Sequence, residues 1–202
     1  WAEEGLVERS FWEKAGEMGL MGGSVDETFG GSGGDISYDA ITAYLQAAKG
    51  DAGWGYGIQS IVIHYLNSYG SNEQKAKWLP ELVSGKRIAA LAMTEPNCGS
   101  DLQSIKTHAE KDGNQYKING SKTFITNGGS ADLICLAVKT DPKQGSKGIS
   151  LLMIETDDLE GFRRGKPLKK VGMKGNDTAE LFFDNVKIPQ TNLLGPEEGK
   201  GF

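Results

Sequence analysis

Thr94, Glu95, Gly99, Ser100 and Asp101 crowd into one short stretch, Met93-Thr-Glu-Pro-Asn-Cys-Gly-Ser-Asp101. Pro96 fixes its own φ and pushes Glu95 out of the helical region, so the chain must turn there. Gly99 lets the backbone come close to another group, and Ser100 then offers both an amide and a hydroxyl. Such a loop suits an anion or a planar polar ligand. On loop chemistry alone it suits an ordinary strand exit capped by Ser and Asp better, since short polar loops are more often only turns. A second stretch, Lys122-Thr-Phe-Ile-Thr-Asn-Gly128, sets Phe124 and Thr126 two residues apart on one face of a strand. An aromatic surface beside a hydroxyl could flank a flat heteroaromatic ring. A core Phe next to a strand Thr is the commoner reading of such a pair seen alone; only the combination with the Thr94–Ser100 loop raises the functional reading.

Other chemistries find little support. The chain has two histidines, no Gly-x-Ser-x-Gly elbow and no clustered metal ligands, so neither a metal site nor a serine hydrolase is expected. Gly22 to Asp35 holds six glycines, yet lacks the Lys-Ser/Thr of a P-loop and the strand-before, helix-after setting of a dinucleotide fold. It reads as a structural connection. His64 reads as a packed or surface residue, and Glu197-Glu198 and Asp157-Asp158 as solvated loop charges.

The elements that position the two stretches fall into two kinds. Before Ile88 the apolar residues recur at helical spacing, which predicts helices over Ser10–Leu20, Tyr38–Lys49 and Gly57–Ser68. A further helix opens on the capping box Ser71-Asn-Glu-Gln74, runs through Val83 and stops at Gly85, with Trp78, Leu79 and Leu82 facing inward. After Ile88 the pattern becomes that of strands: Ile88–Met93, Ile105–Glu110, Tyr116–Thr126, Asp132–Lys139, Gly148–Glu155, Leu168–Gly172 and Thr178–Ile188. About seven strands without interleaved helices predict an antiparallel sandwich or barrel. The expected class is therefore α+β, with an all-α domain over residues 1–87 and a β domain over 88–202.

With 202 residues, 38% apolar and 24% charged, the chain is a globular one with room for real cores. A net charge of −5 argues against nucleic acid or an anionic membrane as the main partner. No apolar run nears a membrane span, and Cys98 and Cys135 lack metal-type spacing, so a soluble, reduced, intracellular protein is expected. A start at Trp1 and an end just past a loop suggest a fragment.

The two chemical stretches, together with Lys174-Gly-Asn-Asp-Thr-Ala-Glu-Leu-Phe-Phe183, Phe29-Gly-Gly-Ser-Gly-Gly-Asp35 and Trp78-Leu-Pro-Glu-Leu82, resemble the acyl-CoA dehydrogenase family, in the family's order and across the whole chain. The ending Leu193–Phe202 looks most like the long-chain branch. The resemblance implies FAD, with Leu91, Met93 and Thr94 at the isoalloxazine, Gly99 and Ser100 at the phosphate side, and Phe124, Ile125 and Thr126 at the other ring face. Thr126 would hydrogen-bond near N5, the hydride acceptor. Ser100, Ser146 and Lys147 would contact the acyl-CoA. Phe124 stands where several relatives carry tryptophan, and Asn97-Cys98 replaces a smaller pair.

The same resemblance places the catalytic carboxylate in a C-terminal helical domain that this chain lacks, so the chain alone is expected to be inactive. It further implies fatty acid β-oxidation, an electron-transferring flavoprotein as acceptor, a homo-oligomeric full-length protein, and a bacterial cytoplasmic or mitochondrial matrix location. An acyl-CoA oxidase-like flavoenzyme, or a shortened non-catalytic flavin or acyl-CoA binding module, are the alternatives.

Overall fold

The structure is a computed structural model and describes residues 1–201. It divides into two compact units: residues 1–89 with 169–177, and residues 90–168 with 178 onward.

The first unit is helical. Helix α1 (Arg9–Glu17) buries Trp12 and Ala15. Helix α2 (Ile36–Ala48) starts two residues ahead of the sequence expectation because Asp35 caps it, its carboxylate accepting the Ser37 N–H at 2.8 Å. Helix α3 (Tyr56–Tyr69) buries Val62, Ile63 and Leu66, and leaves His64 exposed. Helix α4 (Asn72–Val83) opens on the predicted capping box, with the Ser71 and Gln74 side chains each accepting the other's backbone N–H. Trp78, Leu79 and Leu82 are buried, and Gly85 follows at φ +74°, a conformation open to glycine at little cost. Gln59 ties the end of this unit together: its amide donates to the Leu82 and Arg87 carbonyls and accepts the Ala89 N–H at 2.6 Å.

The second unit is built on eight strands: β1 (Ala89–Ala92), β2 (His108–Asp112), β3 (Gln115–Thr126), β4 (Leu133–Lys139), β5 (Ile149–Glu155), β6 (Phe162–Arg164), β7 (Thr178–Pro189) and β8 (Leu193–Leu194). They run β6-β7-β3-β2-β4-β5-β8, with β1 on β4. The path is open rather than closed into a barrel. It is also mixed: β2 meets β4 in parallel at His108 and Lys139, whereas β2–β3, β3–β7, β4–β5, β5–β8 and β6–β7 are antiparallel. Strand β4 is buried along its whole length, as its unbroken apolar run predicts. Ile118, Ile134, Leu136, Val138, Leu152, Ile154 and Leu181 form the centre of the core.

Two departures from the sequence expectation have local causes. Leu168–Gly172 is not a strand; after a single bond from Leu168 N to the Thr178 carbonyl, residues 169–177 fold with the helical unit. Pro167 lies just before this run, and Gly172, Gly175 and the left-handed Met173 (φ +48°) interrupt any extended pairing. The strand expected from Ile105 begins only at His108. The N–H groups of Lys106 and Thr107 are taken by the Glu95 carboxylate instead of a neighbouring strand. Strands β6 and β8, three and two residues long, are too short to show a period.

Candidate functional site

Strand β1 delivers Leu91 half-buried and then, just past its end, Met93 and Thr94, both also partly accessible. Pro96 and Asn97 make the turn of a two-residue hairpin, in which Glu95 and Cys98 exchange backbone hydrogen bonds of 2.9 and 3.1 Å. Gly99 and Ser100 follow as exposed residues. A β-carbon on Gly99 would touch only Thr94 Cγ2, 4.0 Å away. Its φ is not in the left-handed range either. The backbone there is open to a ligand, and neither packing nor conformation within the protein demands glycine.

Strand β3 brings the second stretch. Between Lys122, opposite Leu181, and Ile125, opposite Ala179, two residues face one, so Thr123 and Phe124 form a bulge. Phe124 takes φ +57° and is 67% exposed as a residue, while Thr123 and Ile125 on either side are buried. A left-handed aromatic costs about 1–2 kcal/mol, and this one recovers little of that cost through burial. Such strain concentrates at functional positions. Thr126, two residues on, is partly exposed. Ile125 differs: its side chain belongs to the sheet core, which leaves only its backbone to a ligand. Beyond Thr126 the Arg164 guanidinium holds the turn, donating to the Gly128 carbonyl (3.1 Å), the Ala131 carbonyl (2.6 Å) and the Thr156 hydroxyl (2.9 Å).

The two stretches are joined. Thr123 N donates to the Thr94 carbonyl at 2.9 Å. The Lys122 ammonium, fully buried, donates to the Met93 carbonyl at 2.8 Å and pairs with Glu95 Oε1 at 2.9 Å. Glu95 also accepts the N–H groups of Lys106 (2.6 Å) and Thr107 (2.9 Å). Burial pushes the Glu95 carboxyl up, but the hydrogen bonds from Thr107 and Lys106 and the charge of Lys122 outweigh it and hold the group below its ordinary value. Burial draws the Lys122 ammonium below the usual lysine value, with Glu95 pulling it back. This pair was missed in the sequence. Counting in twos from the inward Tyr116 and Ile118 reaches Lys122, and a lysine on a buried face needs a partner.

Ser146 and Lys147 lie on the 3-10 turns Pro142–Gly148, Ser146 partly accessible and Lys147 exposed. The turn Leu102–Ser104, which continues the Gly99–Asp101 loop, lies beside the Pro142–Gly148 segment. The site residues read from the sequence thus fall on connected segments of one unit. Among the described residues no cluster of His, Cys, Asp or Glu could hold a metal ion, and no helix is long and apolar enough to cross a membrane. The two cysteines are free and buried, and burial pushes the Cys135 thiol up to about 12.

Residues 1–86 match the N-terminal domain, and residues 90–186 the middle domain, of acyl-CoA dehydrogenases. The chain belongs to the acyl-CoA dehydrogenase family. The long-chain specific mitochondrial acyl-CoA dehydrogenase of Rattus norvegicus is 45% identical over 205 residues, covering 100% of this chain and 47% of that protein. The crystal structure of an acyl-CoA dehydrogenase from Geobacillus kaustophilus shares 51% identity and superposes with a TM-score of 0.95, over 100% of this chain and 53% of the other. A glutaryl-CoA dehydrogenase from Mycobacterium smegmatis, solved in complex with FADH2, is 30% identical with a TM-score of 0.88, over 99% of this chain and 50% of its own. The chain spans about half the length of these relatives.

Proposed function

We propose that this chain carries the flavin-holding part of an FAD-dependent acyl-CoA dehydrogenase. The observation that supports the reading best is Phe124, a strained and exposed aromatic beside the accessible Thr126. Gly99 supports it independently, as an open stretch of backbone followed by the Ser100 amide and hydroxyl. Leu91, Met93 and Thr94 would hold one part of the isoalloxazine, and Phe124, the Ile125 backbone and Thr126 another. Gly99 and Ser100 would serve the phosphate side. Ser100, Ser146 and Lys147 would meet the acyl-CoA. FAD, when bound, supplies the acceptor for the β-hydrogen leaving as hydride.

The work left to the protein is placement. A thioester α-proton is weakly acidic, so its removal needs a positioned base and donors aimed at the enolate oxygen. Holding the thioester against the acceptor removes the entropy of bringing them together. The carboxylates nearest the loop are already engaged: Glu95 by Lys122, Lys106 and Thr107, and Asp101 by the Ser104 hydroxyl. By resemblance to the family, the base belongs to a part of the relatives that this chain does not span. The electron acceptor of the whole enzyme would be an electron-transferring flavoprotein.

The test is the visible spectrum of the purified chain after loading with FAD and removal of the excess. A retained flavin band that weakens in Thr126→Ala, by roughly the fivefold to tenfold in affinity that one hydrogen bond carries, is the expected result. No acyl-CoA-dependent reduction of an acceptor dye is expected from the 202 residues alone. A flavin band indifferent to both Thr126→Ala and Phe124→Ala would overturn the site assignment.

A further inference from the structure

The Glu95–Lys122 pair stands out among the buried groups. Lys122 is 0% and Glu95 7% exposed, neither faces the accessible side of the site, and the chemistry proposed above does not use them. A buried ion pair is poor evidence for stability, since removing two charges from water offsets much of their attraction. Its connections say more. Lys122 precedes the Thr123–Phe124 bulge, and its ammonium grips Met93 and Glu95, the residues on either side of Thr94. The Glu95 carboxylate closes the loop from the other end by taking the N–H groups of Lys106 and Thr107, so Gly99 and Ser100 lie inside a ring tied by one side chain. The bulge uses its own N–H, from Thr123, to reach the Thr94 carbonyl.

We infer that Glu95 and Lys122 are positioning residues, a buried latch that sets the Thr94–Ser100 loop in register with Phe124 and Thr126. The inference rests on the flavin reading above and deepens it. Hydrogen bonds to a charged acceptor are directional, and three donors from two segments converge on one carboxylate, so the latch fixes relative placement in a way that an apolar contact of the same volume does not.

The test compares the wild type with the double variant Glu95→Gln/Lys122→Met, which removes both charges at similar volume, in the protein at its full encoded length. Three readouts are taken: far-UV circular dichroism with a melting curve, the FAD dissociation constant, and the shape of the bound flavin's visible band. The latch predicts a folded double variant whose FAD dissociation constant rises tenfold or more and whose flavin band loses fine structure. Unchanged affinity and band shape in the folded variant would overturn the inference while leaving the flavin site standing. A double variant that does not fold would also overturn it, because the pair would then carry the fold and not the register. A wild type that binds no FAD would remove the flavin reading, and the latch with it.

Discussion

In the connection from Gly22 to Asp35, a β-carbon on Gly22, Gly23, Gly31 or Gly34 would sit 2.1–2.6 Å from atoms of Val83, Tyr38 or Val25, whereas one on Gly99 would meet only Thr94 Cγ2 at 4.0 Å. Both stretches look alike as sequence, glycine-bearing and polar, and either could be mistaken for an anion loop. The first uses glycine to let the protein approach itself. The second leaves backbone open with no internal occupant. They are also held differently: the first by close packing, and the Thr94–Thr107 stretch by a buried carboxylate. Glycine count therefore says little about function until the space around each α-carbon is known.

The sharpest way to break the contrast is to cut the tether of the second loop. Lys122→Ala leaves the Glu95 carboxylate buried without its counter-charge and is expected to cost about 3–5 kcal/mol in the sheet unit, read by urea unfolding. The same pair has a pH signature. Glu95 titrates below the ordinary 4.5 when folded, so its contribution is complete above the unfolded pKa and is lost as pH falls through the folded value. Glu95→Gln is expected to flatten stability against pH below about 4.5, in an acid titration followed by circular dichroism.

Packing is the next largest target. Gly31→Ala drives a methyl group into the Val25 carbonyl and is expected to destabilise the helical unit by about 2 kcal/mol. An unchanged melting curve would remove the distinction between the two loops. Phe124→Gly relieves the left-handed strain of an exposed ring and is expected to raise stability by about 0.5 kcal/mol, because the released strain slightly exceeds the entropy cost of glycine. FAD affinity should fall in the same variant. Gly99→Ala should change stability least, by under about 0.5 kcal/mol, while weakening FAD severalfold in an equilibrium titration.

Much of the frame was legible beforehand because its signals are local. The capping box at Ser71 and Gln74, the inward Trp78, Leu79 and Leu82, and the continuous apolar run of β4 each state their own structure within a few residues. The error at Leu168–Gly172 has the opposite origin. The run was expected to be a strand, but no neighbouring strand pairs with it, and from Lys169 onward it belongs to the helical unit. The late start of β2 came from a competing hydrogen-bond acceptor thirteen residues before its first residue, the Glu95 carboxylate.

By itself the sequence determined the helical half followed by the strand half, the two chemical stretches and, through their motifs, the family. Tertiary structure alone decided that Phe124 is strained and exposed, that Ile125 turns into the core, and that Gly99 is open. It also decided that Glu95 and Lys122 meet across 27 residues of chain. The physical reason is range. Periodicity, capping and turn chemistry act over a few residues, whereas a bulge, a cavity beside an α-carbon or a buried counter-charge exists only once distant segments are packed together.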